Sequence, residues 1–426
     1  MEPENTETSY RYSKENLNDE EFDQDYTPGF TDESESYAPS YAPDDSDSFD
    51  EAPAAADKFA AESAGEPADA ALAQEHVYSV PPKSVADPAL VKTYENAHKI
   101  FETLFNEIGQ VIVGQKEVVE EVMIALLCNG HALLESNPGL GKTLTISTIS
   151  KVVDLSFNRI QCTPDLMPAD ITGTTIVEEH GGNKSFRFEQ GPVFANIVLA
   201  DEINRASPKT QSALLEAMQE KQVTVAGHTY PLDKPFFVLA TQNPIEQEGT
   251  YPLPEAQLDR FLLKILVPYP DFDEELEIVN RYTAQTSPTT SRGISKDTLM
   301  SLQKLTRDVP ISEELKQRTI RLVMRSRDGG AIEYGASPRA SIAIILASKA
   351  RALIHGRNYV AEEDVIAMSY PVLRHRIILS FEAERSGVTP DDAIEDLLIE
   401  GGFLKAKPQE NESSGLRAKL PFGSKK

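Results

Sequence analysis

Two short stretches of this 426-residue chain carry residue types whose spacing suits chemistry on a phosphate anhydride. The first is Ser136-Asn137-Pro138-Gly139-Leu140-Gly141-Lys142-Thr143, a glycine-rich turn between a short apolar strand from His131 to Leu134 and a helix over Leu144 to Val153. With the elements in that order, backbone N–H groups and a helix N-terminus face an anion. Lys142 would then reach the β- and γ-phosphates of a nucleotide, and Thr143 would coordinate magnesium. Ser136 stands where the G-x-x-x-x-G-K-[ST] pattern has its first glycine, a position that asks for a tight turn and predicts some strain for serine. Taken alone, such a turn is also an ordinary strand-to-helix connection. The second stretch, Ile197-Val198-Leu199-Ala200-Asp201-Glu202, is an apolar strand ending in two adjacent carboxylates. At the C-terminal end of a strand both can reach a ligand at the sheet edge. The natural division has Asp201 holding magnesium through its water shell and Glu202 polarising an attacking water. A solvated strand end is the plain alternative for a lone Asp-Glu pair, and the phosphate loop upstream argues against it.

These residues need elements to hold them. Helical apolar spacing begins near residue 87, with Leu90, Tyr94, Ile100, Phe101, Leu104 and Phe105 on one face. Val111 to Val113 leads into Gly114-Gln115, and 116 to 130 reads as a helix carrying Val118, Val119, Val122, Met123, Ala125 and Leu126. Two hairpins are predicted. One pairs Thr174–Glu178 with Ser185–Glu189 across a turn from His180 to Asn183; the other pairs Gln222–Val225 with Thr229–Leu232. Phe186 and Phe188 on the first are expected in the core rather than at a substrate face. After Pro270 the reading is all-helical, over Asp273–Tyr282, Lys296–Arg307, Glu313–Arg327, Pro338–His355, Ala361–Leu373 and Pro390–Ile399. The last has Thr389 as N-cap, Pro390 at the first position and Asp392 closing an acidic capping box. Arg374, His375 and Arg376 read as a solvated basic face, or else as a subunit contact.

Longer runs then carry a resemblance. VIVGQ at 111–115, NPGLGKT at 137–143, FANIVLADEINRASPKTQSALLEAMQE at 194–220, FFVLATQNPIEQEGTYPLPEAQLDRFLLKI at 236–265 and GASPRA at 335–340 resemble the MoxR family of AAA+ ATPases, over about residues 95 to 400. The resemblance implies an α/β fold: a P-loop NTPase core, with a parallel sheet flanked by helices, over 87–270, followed by a small all-helical lid over 271–405. A disordered acidic arm (1–86) and a flexible tail (406–426) would flank them. It implies ATP and Mg2+ as cofactors. Gly114, Gln115, Asn137, Pro138, Gly139, Leu140, Gly141, Lys142, Thr143 and Leu144 would bind nucleotide, with Thr143 and Asp201 on magnesium. Asn243 would be a sensor beside Glu202, Arg260 an arginine finger acting across a subunit boundary, and Arg339 a second sensor acting in cis or in trans. The plain alternatives are an Asn opening the turn before Pro244 and an intrachain partner of Arg260 in Asp259 or a nearby acid. The hairpins would be the helix-2 insert and the pre-sensor hairpin, facing a pore or substrate. One chain should then be incomplete, which predicts an ATP-promoted homo-hexamer acting on protein clients, with a von Willebrand A-type partner in maturation, metal insertion or assembly.

Composition narrows the field further. Hydrophobic residues make up 40% and charged residues 26%, and the net charge is −27. Most of that acidity lies in residues 1–80, where 22 Asp and Glu face only Arg11, Lys14 and Lys58. That segment, with SYAP repeated at 36–39 and 40–43, holds too little apolar content to offset ordering entropy, so disorder is expected. The rest is only mildly acidic and has no basic aromatic stripe, which argues against nucleic acid as a partner. Cys128 and Cys162 sit singly in apolar stretches, and the seven histidines are too scattered for a metal site. MEPENTETSY lacks the basic n-region of an export signal, and no apolar run approaches the roughly 20 residues that span a bilayer. A cytoplasmic protein without stable membrane insertion is expected. Three classes stand: a client-remodelling ATPase ring, a nucleotide-gated scaffold in which Ser136 slows turnover, and a nucleic-acid motor.

Overall fold

The computed structural model describes residues 88–180, 183–244, 249–284 and 288–405. The acidic arm, the basic tail and the centre of the His180–Asn183 turn lie outside them. Helices α1 (Pro88–Gly109) and α2 (Lys116–Leu127) lead to β1 (Ala132–Ser136) and α3 (Lys142–Val152), followed by β2 (Phe157–Gln161) and the short α4 (Pro168–Thr172). Next come β3 (Gly173–His180), β4 (Asn183–Gln190), β5 (Ile197–Asp201) and α5 (Pro208–Glu220). The strands β6 (Gln222–Val225), β7 (His228–Pro231), β8 (Phe237–Gln242) and β9 (Leu263–Val267) complete this half, with a one-turn α6 (Glu255–Leu258) before β9.

Five strands form one parallel sheet in the order β2-β5-β8-β1-β9. A parallel sheet needs cover on both faces, so its strands read as nearly continuous apolar runs. All five residues of β5 are buried, as are the first five of β8. Period-two geometry sends them to opposite faces. Leu134, Leu199 and Leu239 join the cluster that includes α1, α2, α3 and the later helices, whereas Leu133, Val198, Ala200, Val238 and Ala240 join a second cluster with α5.

The remaining helices are α7 (Phe272–Tyr282), α8 (Lys296–Asp308), α9 (Glu313–Arg325), α10 (Pro338–Ile354), α11 (Glu362–Leu373), α12 (Phe381–Arg385) and α13 (Pro390–Glu400). One short antiparallel ladder interrupts this helical half, between β10 (Ile332–Tyr334) and β11 (Ile378–Leu379). The capping box of α13 forms: the Asp392 N–H donates to Thr389 Oγ1 at 3.2 Å, and Asp392 Oδ2 accepts from the Thr389 N–H at 2.8 Å.

The basic cluster is neither a solvated face nor free. Arg376 is 3% exposed and donates to the carbonyls of Phe261, Leu262 and Val372 while pairing with Asp259 at 2.8 Å. His375 is buried and its Nε2 lies 3.0 Å from the Phe261 carbonyl. Burial, with Arg376 beside it, holds that imidazole well below its usual value, so it is neutral at neutral pH. Arg374 grips Asp391 with two nitrogens at 2.7 and 2.8 Å. His375 and Arg376 fasten the helical half to the segment just before β9, and Arg374 ties the end of α11 to α13, roles that spacing alone does not reveal.

Both hairpins form, in the register β3–β4 and β6–β7. Phe186 departs from expectation: it is 79% exposed, opposite the exposed Val177. Phe188, two residues on and on the same strand face, instead stacks on Tyr230 of β7 with ring centroids 4.1 Å apart, and meets Phe194 edge-on at 5.7 Å. The hairpins are thus joined through one aromatic stack. Phe188→Ala is expected to destabilise by about 1–2 kcal/mol and Phe186→Ala by no more than about 0.5 kcal/mol in denaturant unfolding. Equal losses would contradict this assignment.

Candidate active site

The C-terminal ends of β5, β8 and β1 lie side by side in the sheet, so the residues that follow these strands meet at one edge. From β1 comes the phosphate loop. Gly139 and Gly141 have φ of +84° and +76°, and a Cβ at either would meet nothing within 4 Å, so the loop presents bare backbone to solvent. The N–H groups of the first turn of α3 have no intrahelical acceptor and point toward this loop. Ser136 is the last residue of β1, paired with Val267, and needs no left-handed backbone. The strain expected for serine there is absent. Lys142 Nζ lies 3.5 Å from the Ser136 carbonyl. Gln115, itself left-handed with φ 51°, donates to the Leu140 carbonyl at 3.0 Å and accepts from Thr145 at 3.3 Å, which ties the Val111–Gln115 segment to the loop. Thr143 is half-buried, while Leu144 faces solvent with 40% exposure.

From β5 come the two carboxylates, and both are held. Asp201 is buried; its Oδ1 accepts from Thr241 at 2.7 Å and its Oδ2 accepts from Arg159 at 2.6 Å. Glu202 takes the left-handed conformation, φ 58°, at a cost of about 1–2 kcal/mol for a residue with a Cβ. Its amide donates to Thr241 Oγ1 at 2.8 Å, and its Oε2 accepts from Gln161 at 3.2 Å and Arg205 at 3.1 Å. Backbone strain at a residue whose carboxylate is held by two neighbours and whose amide is held by a third fits a group whose position matters. Asn243 directly follows β8, the strand between β5 and β1, and is buried.

A cleft of about 760 Å3 opens beside the loop, lined by Gln115, Ser136, Asn137, Pro244, Glu121 and Arg374 among others. Its size suits a ligand of nucleotide dimensions. Open backbone amides, one lysine, one threonine hydroxyl and two carboxylates are a donor set that fits a triphosphate with its magnesium ion.

Arg260 and Arg339 lie away from this edge, after α6 and at the start of α10. Arg339 Nη1 is 3.6 Å from Asp259 Oδ2 and the side chain is 59% exposed. Asp259 also accepts from Ser337 at 3.1 Å and pairs with Arg376, so it does not serve Arg260. Among the described residues no hydrogen bond or ion pair engages the Arg260 guanidinium.

Residues 131–263 match the model for the ATPase family associated with various cellular activities (AAA), and residues 324–397 match the AAA lid domain. The chain is 44% identical over 327 residues to Chaperone MoxR1 of Mycobacterium tuberculosis, spanning 74% of this chain and 86% of that protein. It belongs to the MoxR family of AAA+ ATPases. The uncharacterized protein YeaC of Bacillus subtilis is 43% identical over 305 residues, 71% of this chain and 95% of its own. A crystal structure from Cytophaga hutchinsonii, provisionally assigned as an ATPase, superposes with a TM-score of 0.68 at 45% identity, covering 73% of this chain and 96% of that one. A MoxR-family AAA+ module with its lid therefore accounts for the parallel sheet, the phosphate loop and the helices that follow.

Thr241, Arg159, Gln161 and Arg205 were not singled out from sequence, although each touches a carboxylate of the acidic pair. Arg159 and Gln161 stand two apart on β2, opposite Leu199 and Asp201 of β5, so a period-two reading of that strand would have placed both beside Asp201. Glu121 carries a further signal: burial, against the opposing pull of Arg374, raises its carboxyl to about 7. Its folded value then lies above the unfolded one, so stability falls as pH rises from about 4.5 to 7 and the cost is fully present above that window. Glu121→Gln is expected to raise the midpoint of thermal unfolding at pH 8 by several times its effect at pH 5. A gain equal at both pH values would show that Glu121 ionises normally.

Proposed function

We propose that this chain is one subunit of an ATP-hydrolysing, chaperone-like ring that remodels or assists the assembly of protein clients. The observation that carries the reading is the division of the site within one chain. The phosphate loop, the acidic pair and Asn243 share one sheet edge, while among the described residues nothing engages the Arg260 guanidinium and its neighbour Asp259 is already held by Arg376, Arg339 and Ser337. An arginine kept unpaired beside a satisfied carboxylate suits a finger that completes a neighbour's site. Arg339 shares Asp259 and so belongs to the same corner, which supports a role in trans. A closed ring of identical subunits, six by this reading, would bring the two halves together.

Within one subunit the backbone N–H groups of Asn137 and of Gly139 to Thr143, flanking Pro138, which has none, and the Lys142 ammonium would hold the phosphates. Gln115 sets the loop's height through Leu140, and Gly114 and Leu144 would complete the nucleotide-binding set. Thr143 and Asp201 would hold magnesium, which when bound supplies charge neutralisation at the β- and γ-oxygens. Glu202 acts as general base toward the attacking water, and Asn243 orients that water, since a neutral amide donates and accepts without added charge. Thr241 keeps Asp201 and Glu202 at fixed separation. The nucleotide-binding half is assigned to 87–270 and the lid to 271–405. A relative named as a chaperone supports client remodelling, and the family resemblance extends this to a von Willebrand A-type partner, metal insertion and a cytoplasmic setting. The unstrained Ser136 removes the main argument for a scaffold without turnover.

ATP hydrolysis measured against protein concentration, with light scattering on the same samples, tests the reading. The specific rate is expected to rise as oligomers form. Glu202→Gln should lower it by about 10²-fold or more and Arg260→Ala by about 10³-fold, with nucleotide binding retained in both. A rate independent of concentration and of Arg260 would overturn the trans assignment. Binding without turnover in the wild type would return the scaffold reading.

A further inference from the structure

We propose that Arg159 is a resident counter-ion for Asp201, occupying the carboxylate that the magnesium-bearing nucleotide requires and thereby setting how much metal the site needs. The inference rests on the nucleotide-site reading above and adds a residue to it. Asp201 has a side chain only 9% exposed, and a carboxylate in that position must be compensated. Thr241 supplies one hydrogen bond to Oδ1. Arg159 supplies the charge, with Nη2 at 2.6 Å and Nε at 3.2 Å from Oδ2.

Arg159 is built to leave. It sits on β2, the edge strand of the sheet, its side chain is 45% exposed, and it is long enough to turn into solvent. A divalent cation and a guanidinium cannot share one carboxylate edge without mutual repulsion. Arg159 therefore opposes metal-bound nucleotide and has no comparable conflict with metal-free nucleotide held by the loop amides and Lys142. The same guanidinium donates to Gln161 Oε1 at 2.5 Å, and Gln161 in turn donates to Glu202 Oε2 at 3.2 Å. Displacing Arg159 therefore also loosens the hold on Glu202, so that nucleotide loading and release of the general base become one event.

The test is fluorescent ATP binding titrated with magnesium, using the full chain as wild type, Arg159→Met and Arg159→Lys. Methionine keeps the aliphatic stem without the charge. The magnesium midpoint for nucleotide binding is expected to fall roughly tenfold in Arg159→Met, the scale of one charge-assisted contact, with affinity in EDTA unchanged. Arg159→Lys, which keeps the charge, should lie near wild type. An unchanged midpoint in a folded Arg159→Met, checked by circular dichroism, would overturn the counter-ion role while leaving the nucleotide site intact. If Arg159→Met does not fold, a midpoint lowered in Arg159→Lys by as much as tenfold overturns it instead. A wild type that binds no nucleotide in either condition removes the underlying site as well.

Discussion

A carboxylate buried at the end of an apolar strand constrains everything around it. Asp201 closes β5, whose residues are all buried, and its charge has to be met by Arg159 from one neighbouring strand and Thr241 from the other. That compensation exists only because β5 lies between β2 and β8. The same order places the phosphate loop after β1, one strand further on, and Asn243 after β8. Burial strengthens these electrostatic contacts and makes any one of them costly to lose. The sheet order and the acidic pair are therefore two aspects of one constraint.

A second ion pair, whose arginine is buried, does comparable work just before β9. Arg376 crosses from the end of α11 to Asp259 and to the carbonyls before β9, so the helical half is fastened to the sheet by a charge with few other places to go. Breaking such a pair leaves an uncompensated charge inside the protein. By engaging Asp259 it also decides the surroundings of the two arginines next to it. Arg339 is drawn into a long contact with the same carboxylate, and Arg260 is left without a partner among the described residues. The lack of a partner for Arg260 among the described residues thus reflects an interaction in which it takes no part.

Much of the fold was legible from the chain itself because local rules govern it. Glycines 139 and 141 stand where positive φ is required, Thr389 and Asp392 close the predicted capping box, and the apolar runs at 197–200 and 236–240 supply central strands of a parallel sheet. Phe186 and Phe188 show where such rules stop. They share one strand face, yet one meets Tyr230 of a hairpin some 40 residues away and the other meets solvent. Arg374, His375 and Arg376 show the same limit. Three basic residues in a row suggest a wet surface unless their partners, Asp391, Phe261 and Asp259, are known to be near.

By itself, then, the sequence determined the glycine-rich turn, the adjacent carboxylates, most of the strand and helix pattern and the family they belong to, because each is encoded over short stretches of residues. Only the tertiary structure decided which groups hold those residues. Arg159 on Asp201, Gln161 and Arg205 on Glu202, Thr241 between the two carboxylates, and Arg376 on Asp259 are mostly pairings across tens of residues or more. Their partners come together because buried charges must be compensated, and which partner lies within reach is set by strand order and register rather than by neighbours in the chain.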